Sequence, residues 1–278
     1  MGLKEKLKQY LSEEELKKAP SSFEIIGSRE GAVAIVEIDS SLENKKNLIA
    51  ECIRKLHKNV KTVLRKRSKR KGEYRLRDFE FLIEGPTEVI HKEHGYLIKV
   101  DPTKVYFSAR EATERQRIAE KVEEGEEILI MFSGVAPFAI AIAKKRKKVK
   151  IYCVEANEAA HKYATENIKI NKLEGKIIAL KGRVEEICKG FGEEFDRILM
   201  PLPERAWDFL ELAIKCLKKR GIIHFYAICK EDLAECKSKL ETLLEELKVK
   251  FKIKEIRKVL PYAPRKWKVC FDIEILKF

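Results

Sequence analysis

The apolar positions in this chain change period once, near the middle. In the first part they form short, unlike pieces. Residues 4–19 carry apolar positions at helical spacing among many charges, which predicts an exposed amphipathic helix. FEIIG (23–27) and AVAIVEI (32–38) are short β-branched runs and predict strands. Leu48, Ile49, Cys52, Ile53 and Leu56 line one side of a helix over 42–58. A strand at 59–65, alternating segments near 73–84 and 87–91, and YLIKV at 96–100 complete an α+β unit of residues 1–105. After Asp101-Pro102 the pattern becomes regular. The apolar runs ILIMF (128–132), KVKIYCVEAN (148–157), IIAL (177–180), DRILM (196–200) and GIIHFYAI (221–228) are each separated by a helical segment. Such alternation predicts a parallel sheet with helices on both faces, over residues 106–278. An antiparallel pair near 249–258 and 266–277 ends that sheet, and no internal repeat is visible.

Composition narrows the partners. With 278 residues, 45% hydrophobic, the chain can bury a core, and 13 Gly and 8 Pro exclude collagen-like and linker proteins. Lys plus Arg is 59 against 45 acidic residues, a net charge of +14, which favours a polyanion such as RNA. The charge is concentrated in KTVLRKRSKRK (61–71), which holds seven basic residues and no acidic one. Solvated helix faces mix signs, so Arg65, Lys66, Arg67, Lys69 and Arg70 become candidate phosphate contacts. The seven cysteines show no CxxC spacing and several sit in apolar runs, which predicts buried free thiols in a reducing cytosol. No apolar stretch is long enough to span a membrane and no signal-peptide core opens the chain, so we expect a cytoplasmic protein. No cluster has metal-ligand spacing, so no metal is expected, and His224 in its apolar strand reads as a core histidine.

Three segments could carry chemistry. In the first, SGVAP follows an apolar strand and opens a helix, and Glu155 ends the next strand, 21 residues after Gly134. In a Rossmann-like sheet the small turn residues admit a ligand, and the acid accepts hydrogen bonds from ribose hydroxyls. A lone glycine makes this a weak signal, and without GKS or GKT it is not a P-loop. In the second, VYFSAREATERQRI (105–118), Ser108, Arg110, Arg115 and Arg117 stand with Tyr106 and Phe107. Arginine among aromatics suits RNA, and a guanidinium also suits a carboxylate. The third is ILMPLPERAW (198–207), a proline-stiffened loop after a strand, on the side of the sheet where ligands bind. Tyr262-Ala263-Pro264-Arg265, between the last two strands, could touch a substrate or simply make a turn.

Read together, residues 71–122 (from KGEYRLRDFEF to ERQRIAEKV), MFSGVAPFAI, YCVEANEAAHKYATENIKINKL and YAPRKW resemble the archaeal and eukaryotic tRNA (guanine-37-N1)-methyltransferase family. More closely, the chain resembles the short sister group, the tRNA 4-demethylwyosine(37) 3-amino-3-carboxypropyltransferases of wybutosine synthesis. The likeness covers about 70% of the chain or more. It implies a class I S-adenosylmethionine-dependent, Rossmann-like methyltransferase fold with a smaller N-terminal α+β domain that contacts tRNA. It also implies S-adenosylmethionine as group donor, and the anticodon region of tRNA-Phe as partner of a monomeric enzyme. The implied donor contacts are Ser108, Arg115, Phe132, Ser133, Gly134, Val135, Glu155, Ala156, Gly182, Arg183 and Pro201. Glu155 would hold the ribose, Gly182 and Arg183 would flank the adenine, and Ser108 or Arg115 would meet the methionine end. Arg110 joins the basic run as an implied RNA contact. The likeness names no general base.

Three departures from the methyltransferases favour the sister group. Ile130 stands where they usually carry Asp, Ala136 where they have a second glycine, and Pro201-Leu202-Pro203 where they have Asn-Leu-Pro. Each removes a group useful for methylating guanine N1, since proline can neither accept nor donate to a base edge through its side chain. The implied reaction moves the 3-amino-3-carboxypropyl group to C7 of 4-demethylwyosine at position 37 and releases 5′-methylthioadenosine. N1-methylation of guanine-37 is the alternative, and a catalytically silent tRNA-binding module is a third.

Overall fold

The computed structural model describes residues 2–68, 72, 74 and 76–277. They form two compact units, Met1–Arg110 and Glu111–Phe278. The break lies inside 105–118, so Ser108 and Arg110 belong to the first unit and Arg115 to the second.

The first unit holds α1 (Leu3–Leu7), α2 (Glu13–Lys18), β1 (Glu24–Gly27), β2 (Ala32–Val36), α3 (Lys46–Leu56), β3 (Val60–Lys66), β4 (Phe79–Ile83), β5 (Val89–Glu93) and β6 (Tyr96–Val100). Its main sheet runs β1-β2-β3-β4, with β2 and β3 parallel, and β5-β6 is a separate ribbon. The single N-terminal helix expected over 4–19 is in fact two short helices. Ser12 and Glu15 form a reciprocal capping box that starts α2 afresh. That segment is not an exposed helix either, because Leu3, Leu7 and Leu11 are buried in the core with Ile49 and Ile53 of α3.

The second unit is built from α4 (Ala112–Lys121), β7 (Glu127–Met131), α5 (Pro137–Lys145), β8 (Lys150–Glu155), α6 (Glu158–Ile170), β9 (Ile177–Lys181), α7 (Val184–Ile187), β10 (Phe195–Met200), α8 (Ala206–Cys216), β11 (Leu217–Lys230), α9 (Ala234–Glu246), β12 (Lys250–Ala263) and β13 (Lys266–Leu276). Its sheet order is β12-β13-β11-β10-β7-β8-β9. β7 to β11 are parallel, and β13 runs antiparallel between β11 and β12. This is the expected class I methyltransferase arrangement. β7 and β10 read as near-continuous apolar runs because Ile128–Met131 and Ile198–Met200 are buried. The chain order reverses on either side of β7, and a doubly wound sheet opens a ligand crevice there, beyond the carboxyl ends of its strands. No helix among the described residues is long and apolar enough to cross a membrane.

Candidate functional site

The turn after β7 is wound tightly. Phe132, Gly134 and Ala136 all have positive φ, at 58°, 57° and 64°. Only Gly134 adopts this without a side-chain cost; Ala136 is held there where a second glycine would be unstrained. Three bonds fix the turn. Ser133 N–H donates to the Val154 carbonyl at 2.9 Å. Gly134 N–H donates to Glu155 Oε2 at 2.7 Å. The buried Asn167 side chain of α6 donates to the Val135 carbonyl at 3.1 Å. Pro137 then opens α5, where its missing N–H costs nothing.

Glu155 is the hub of this end of the sheet. Its Oε1 accepts from Asn157 N–H at 2.8 Å, and its carbonyl accepts from Gly182 N–H at 3.0 Å. The carboxylate is therefore aimed by backbone groups from two turns before any ligand arrives. A carboxylate offers about four lone-pair sites, so acceptor capacity remains for the two hydroxyls of a ribose. Asn157 caps α6 by accepting from Ala159 and Ala160 N–H. Gly134, Glu155 and Gly182 thus sit at the carboxyl ends of three neighbouring strands, where a doubly wound sheet takes its ligand.

The surrounding side chains close the turn on either side. Phe132 packs edge-on against Phe209, with ring centroids 4.9 Å apart, and Ala156 and Pro201 are half-buried at their strand ends. Ser133 is buried and its hydroxyl has no hydrogen-bond partner among the described residues. Burial pushes the neighbouring Cys153 thiol up. Arg183 is exposed at the start of α7, 3.7 Å from Glu185.

The other candidate residues divide. Arg115 is buried on α4. The Ser108 hydroxyl donates to Glu24 at 3.1 Å within the first unit, and Arg110 is exposed. The basic run needs correction. Arg65 is 5% exposed, pairs with Glu43 and Glu80, and donates to the Ile38 carbonyl, so it is a core ion-pair residue rather than a phosphate contact. Lys46 and Arg65 hold the Glu43 carboxyl down to about 2. Lys66 is half-buried 3.5 Å from Glu37, and Arg67 is exposed 3.5 Å from Glu80. Lys69 and Arg70 lie outside the described residues. The cysteine expectation is corrected too: Cys229 and Cys236 form a disulfide with Cα atoms 5.7 Å apart, as bridging requires, and the other five are free and buried.

Periodicity did not reveal a chain of buried charges beneath α4. Arg117 donates to Glu114 at 2.7 Å and to Asp272 at 2.6 Å. The Tyr226 hydroxyl donates to Glu114 at 2.7 Å, and Lys268 pairs with Glu111 at 2.8 Å. Asp272 also contacts His224 Nδ1 at 2.7 Å, and His224 Nε2 faces Arg197 at 2.8 Å. An arginine can only donate, so Nε2 accepts and Nδ1 carries the proton given to Asp272. His224 is therefore the core histidine expected. His224, Cys270 and Asp272 bring ligand atoms within 4.8 Å of one another, but a cation there would face the Arg197 and Arg117 guanidiniums.

Comparison with known proteins matches this geometry. The family profile for the TRM5/TYW2 methyltransferase domain covers residues 89–253, and that for the TYW2 N-terminal domain covers residues 3–87. The chain is 39% identical to tRNA (guanine(37)-N(1))-methyltransferase Trm5b of Pyrococcus abyssi, over 92% of this chain and 75% of that protein. It is 31% identical to the tRNA(Phe) (4-demethylwyosine(37)-C(7)) aminocarboxypropyltransferase of Pyrococcus horikoshii, over 99% and 98% of the two chains. The crystal structure of Pyrococcus horikoshii TYW2 in complex with MeSAdo superposes with a TM-score of 0.80 at 30% identity, covering 99% of this chain and 98% of that one. The chain belongs to the TRM5/TYW2 family of enzymes, which use S-adenosylmethionine to modify tRNA.

Proposed function

We propose that the chain transfers the 3-amino-3-carboxypropyl group of S-adenosylmethionine to C7 of 4-demethylwyosine at position 37 of tRNA-Phe, in the anticodon region, and releases 5′-methylthioadenosine. The observation that carries this is the side-chain chemistry at the ends of β7 and β10. Ile130 is 1% exposed and Pro201 is half-buried, so neither strand end offers the acid or the amide that a guanine N1-methyltransferase would use. End-to-end similarity to the Pyrococcus horikoshii transferase supports the same reading. A specific observation favours the second reading, N1-methylation of guanine-37: the methyltransferase from Pyrococcus abyssi has the higher identity, 39%.

Bound S-adenosylmethionine supplies a sulfonium whose three attached carbons are all activated towards a nucleophile. The residues of this chain select among them by orientation, because displacement needs the acceptor in line with the bond that breaks. In this proposal Glu155 accepts from the ribose hydroxyls, and Gly182 and Arg183 flank the adenine. Phe132 to Val135, Ala156 and Pro201 line the remainder. With no carboxylate at Ile130, the methionine amine has no anchor at the end of β7, and Arg115 is proposed to hold the methionine carboxylate. The Cγ–S bond breaks as the C7–Cγ bond forms, sulfur leaves as neutral 5′-methylthioadenosine, and the proton displaced from C7 passes to solvent, with no residue assigned as its base.

The test is paired labelling. S-adenosylmethionine carries tritium on the methyl in one tube and carbon-14 on the carboxyl in the other, with tRNA-Phe bearing 4-demethylwyosine as acceptor. Carbon-14 enters the tRNA and tritium does not. Tritium in the tRNA, with S-adenosylhomocysteine released, establishes the methyltransferase instead.

A further inference from the structure

The β12–β13 hairpin closes through two residues, Pro264 and Arg265, between the paired Ala263 and Lys266. In a type II turn begun by proline, the next position takes a positive φ, which glycine adopts with least strain. Here that position is Arg265, at φ 55°. A side chain kept where glycine would be easier points to a use for it.

The location suggests the use. Lys266 pairs with Lys230 at the carboxyl end of β11, so the hairpin tip stands on the ligand side of the sheet. The Tyr262 hydroxyl, on an exposed residue of the same tip, donates to Glu204 at 3.2 Å. Glu204 belongs to the loop that follows Pro201, so tip and loop form one rim of the second unit's crevice.

Charge points the same way. Residues 256–266, the stretch of β12 that leads to the tip and its turn, hold four basic side chains and no acid. Arg257 and Arg265 are exposed and make no ion pair among the described residues. A polyanion meeting this rim finds two guanidiniums that no carboxylate pairs, and the one acid of the rim, Glu204, already accepts from Tyr262.

We infer that Arg265, at the tip of the β12–β13 hairpin, is a substrate-binding residue that pairs with a backbone phosphate of the tRNA. The inference rests on the chain acting on tRNA, and is independent of which group it transfers.

The experiment compares Arg265→Gly and Arg265→Gln with the parent. Binding of an unmodified tRNA-Phe transcript is measured across a salt series, S-adenosylmethionine affinity by calorimetry, and melting by scanning calorimetry. Both variants bind tRNA about tenfold more weakly, with a log–log salt slope flatter by about one. Their affinity for S-adenosylmethionine equals the parent's. Arg265→Gly melts ~2–4 °C higher, because the strain is relieved, and Arg265→Gln melts with the parent. Weaker RNA binding from a more stable protein cannot be ascribed to damaged folding. If both variants bind tRNA within about twofold of the parent with an unchanged slope, Arg265 is a turn residue and the inference is overturned. No transfer occurs in this measurement, so a wrong donor group in the labelling experiment leaves it unaffected.

Discussion

The two halves of the seven-stranded sheet solve opposite problems. At the carboxyl ends of β7, β8 and β9 a single carboxylate, Glu155, is held half-exposed by the backbone N–H groups of Gly134 and Asn157. Between α4 and the strands β10, β11 and β13, a chain of charges is sealed from water and satisfied by other side chains: Glu114, Arg117, Asp272, His224 and Arg197. Backbone donors fix the first carboxylate at the ligand side of the sheet. Side-chain donors surround the second so fully that it acts only as a fastening. The first half should therefore register mutations in binding and the second in stability.

The largest expected effect lies in the second half. Asp272 accepts from Arg117 and His224 and contacts Lys121 at 2.9 Å, with its side chain 4% exposed. Burial alone would raise its pKa, but the bonds from His224 and Arg117 hold the carboxyl far below the usual range. Asp272→Ala strands the Arg117 and Lys121 cations and the His224 N–H, and removing one partner of a buried ionic cluster costs ~3–5 kcal/mol. Chemical denaturation should show that loss, while any protein that remains folded binds S-adenosylmethionine as the parent does. A loss below about 1 kcal/mol would make the network a surface-like decoration and remove the contrast.

Glu155→Ala should give the reverse signature. It strands the hydroxyls of the ligand, and affinity for S-adenosylmethionine falls by roughly 1–3 kcal/mol in a protein that still folds. Unchanged affinity by calorimetry would end the ribose assignment.

The same contrast explains what the sequence could disclose. Glu155 was legible because Gly134 and Asn157, whose N–H groups donate to its carboxylate, are local to it, in a small-residue turn and a helix cap within 134–157. The parallel sheet was legible because buried central strands are continuous apolar runs. The charge network was not, because its partners are distant in sequence: Glu114 meets Tyr226 across 112 residues and Arg117 meets Asp272 across 155. A charged residue inside a strand looks solvated until its partner is known. Arg65 misled for this reason, since its partners Glu43 and Glu80 come from other elements. Ser12 and Glu15 could have been read as a capping box, and the break between α1 and α2 was available from that spacing.

The smallest expected effect separates the halves by pH. His224 is fully buried, facing Arg197 from β10, Asp272 and Cys270 from β13, and the guanidinium of Arg117 from α4. Burial is the main cause that lowers its pKa, and Asp272 only partly opposes it. Burial pushes Tyr226 and Cys270 well up, so both stay neutral across the range that matters, and Asp272 stays ionised. As pH falls below about 6.5, the ordinary histidine value, the unfolded chain takes up a proton that the folded one refuses. Stability is therefore complete above that pH and declines between it and the lower folded-state value, by at most ~1.4 kcal/mol per pH unit. His224→Asn keeps a donor for Asp272 and cannot titrate. Denaturation free energies measured from pH 7.5 down to 5 should converge: the parent loses stability faster than His224→Asn. The four other histidines and all the carboxylates contribute to both proteins and cancel in the difference. Parallel curves would mean that His224 titrates as freely as in an unfolded chain, and that the polar half of the sheet is open to water rather than sealed.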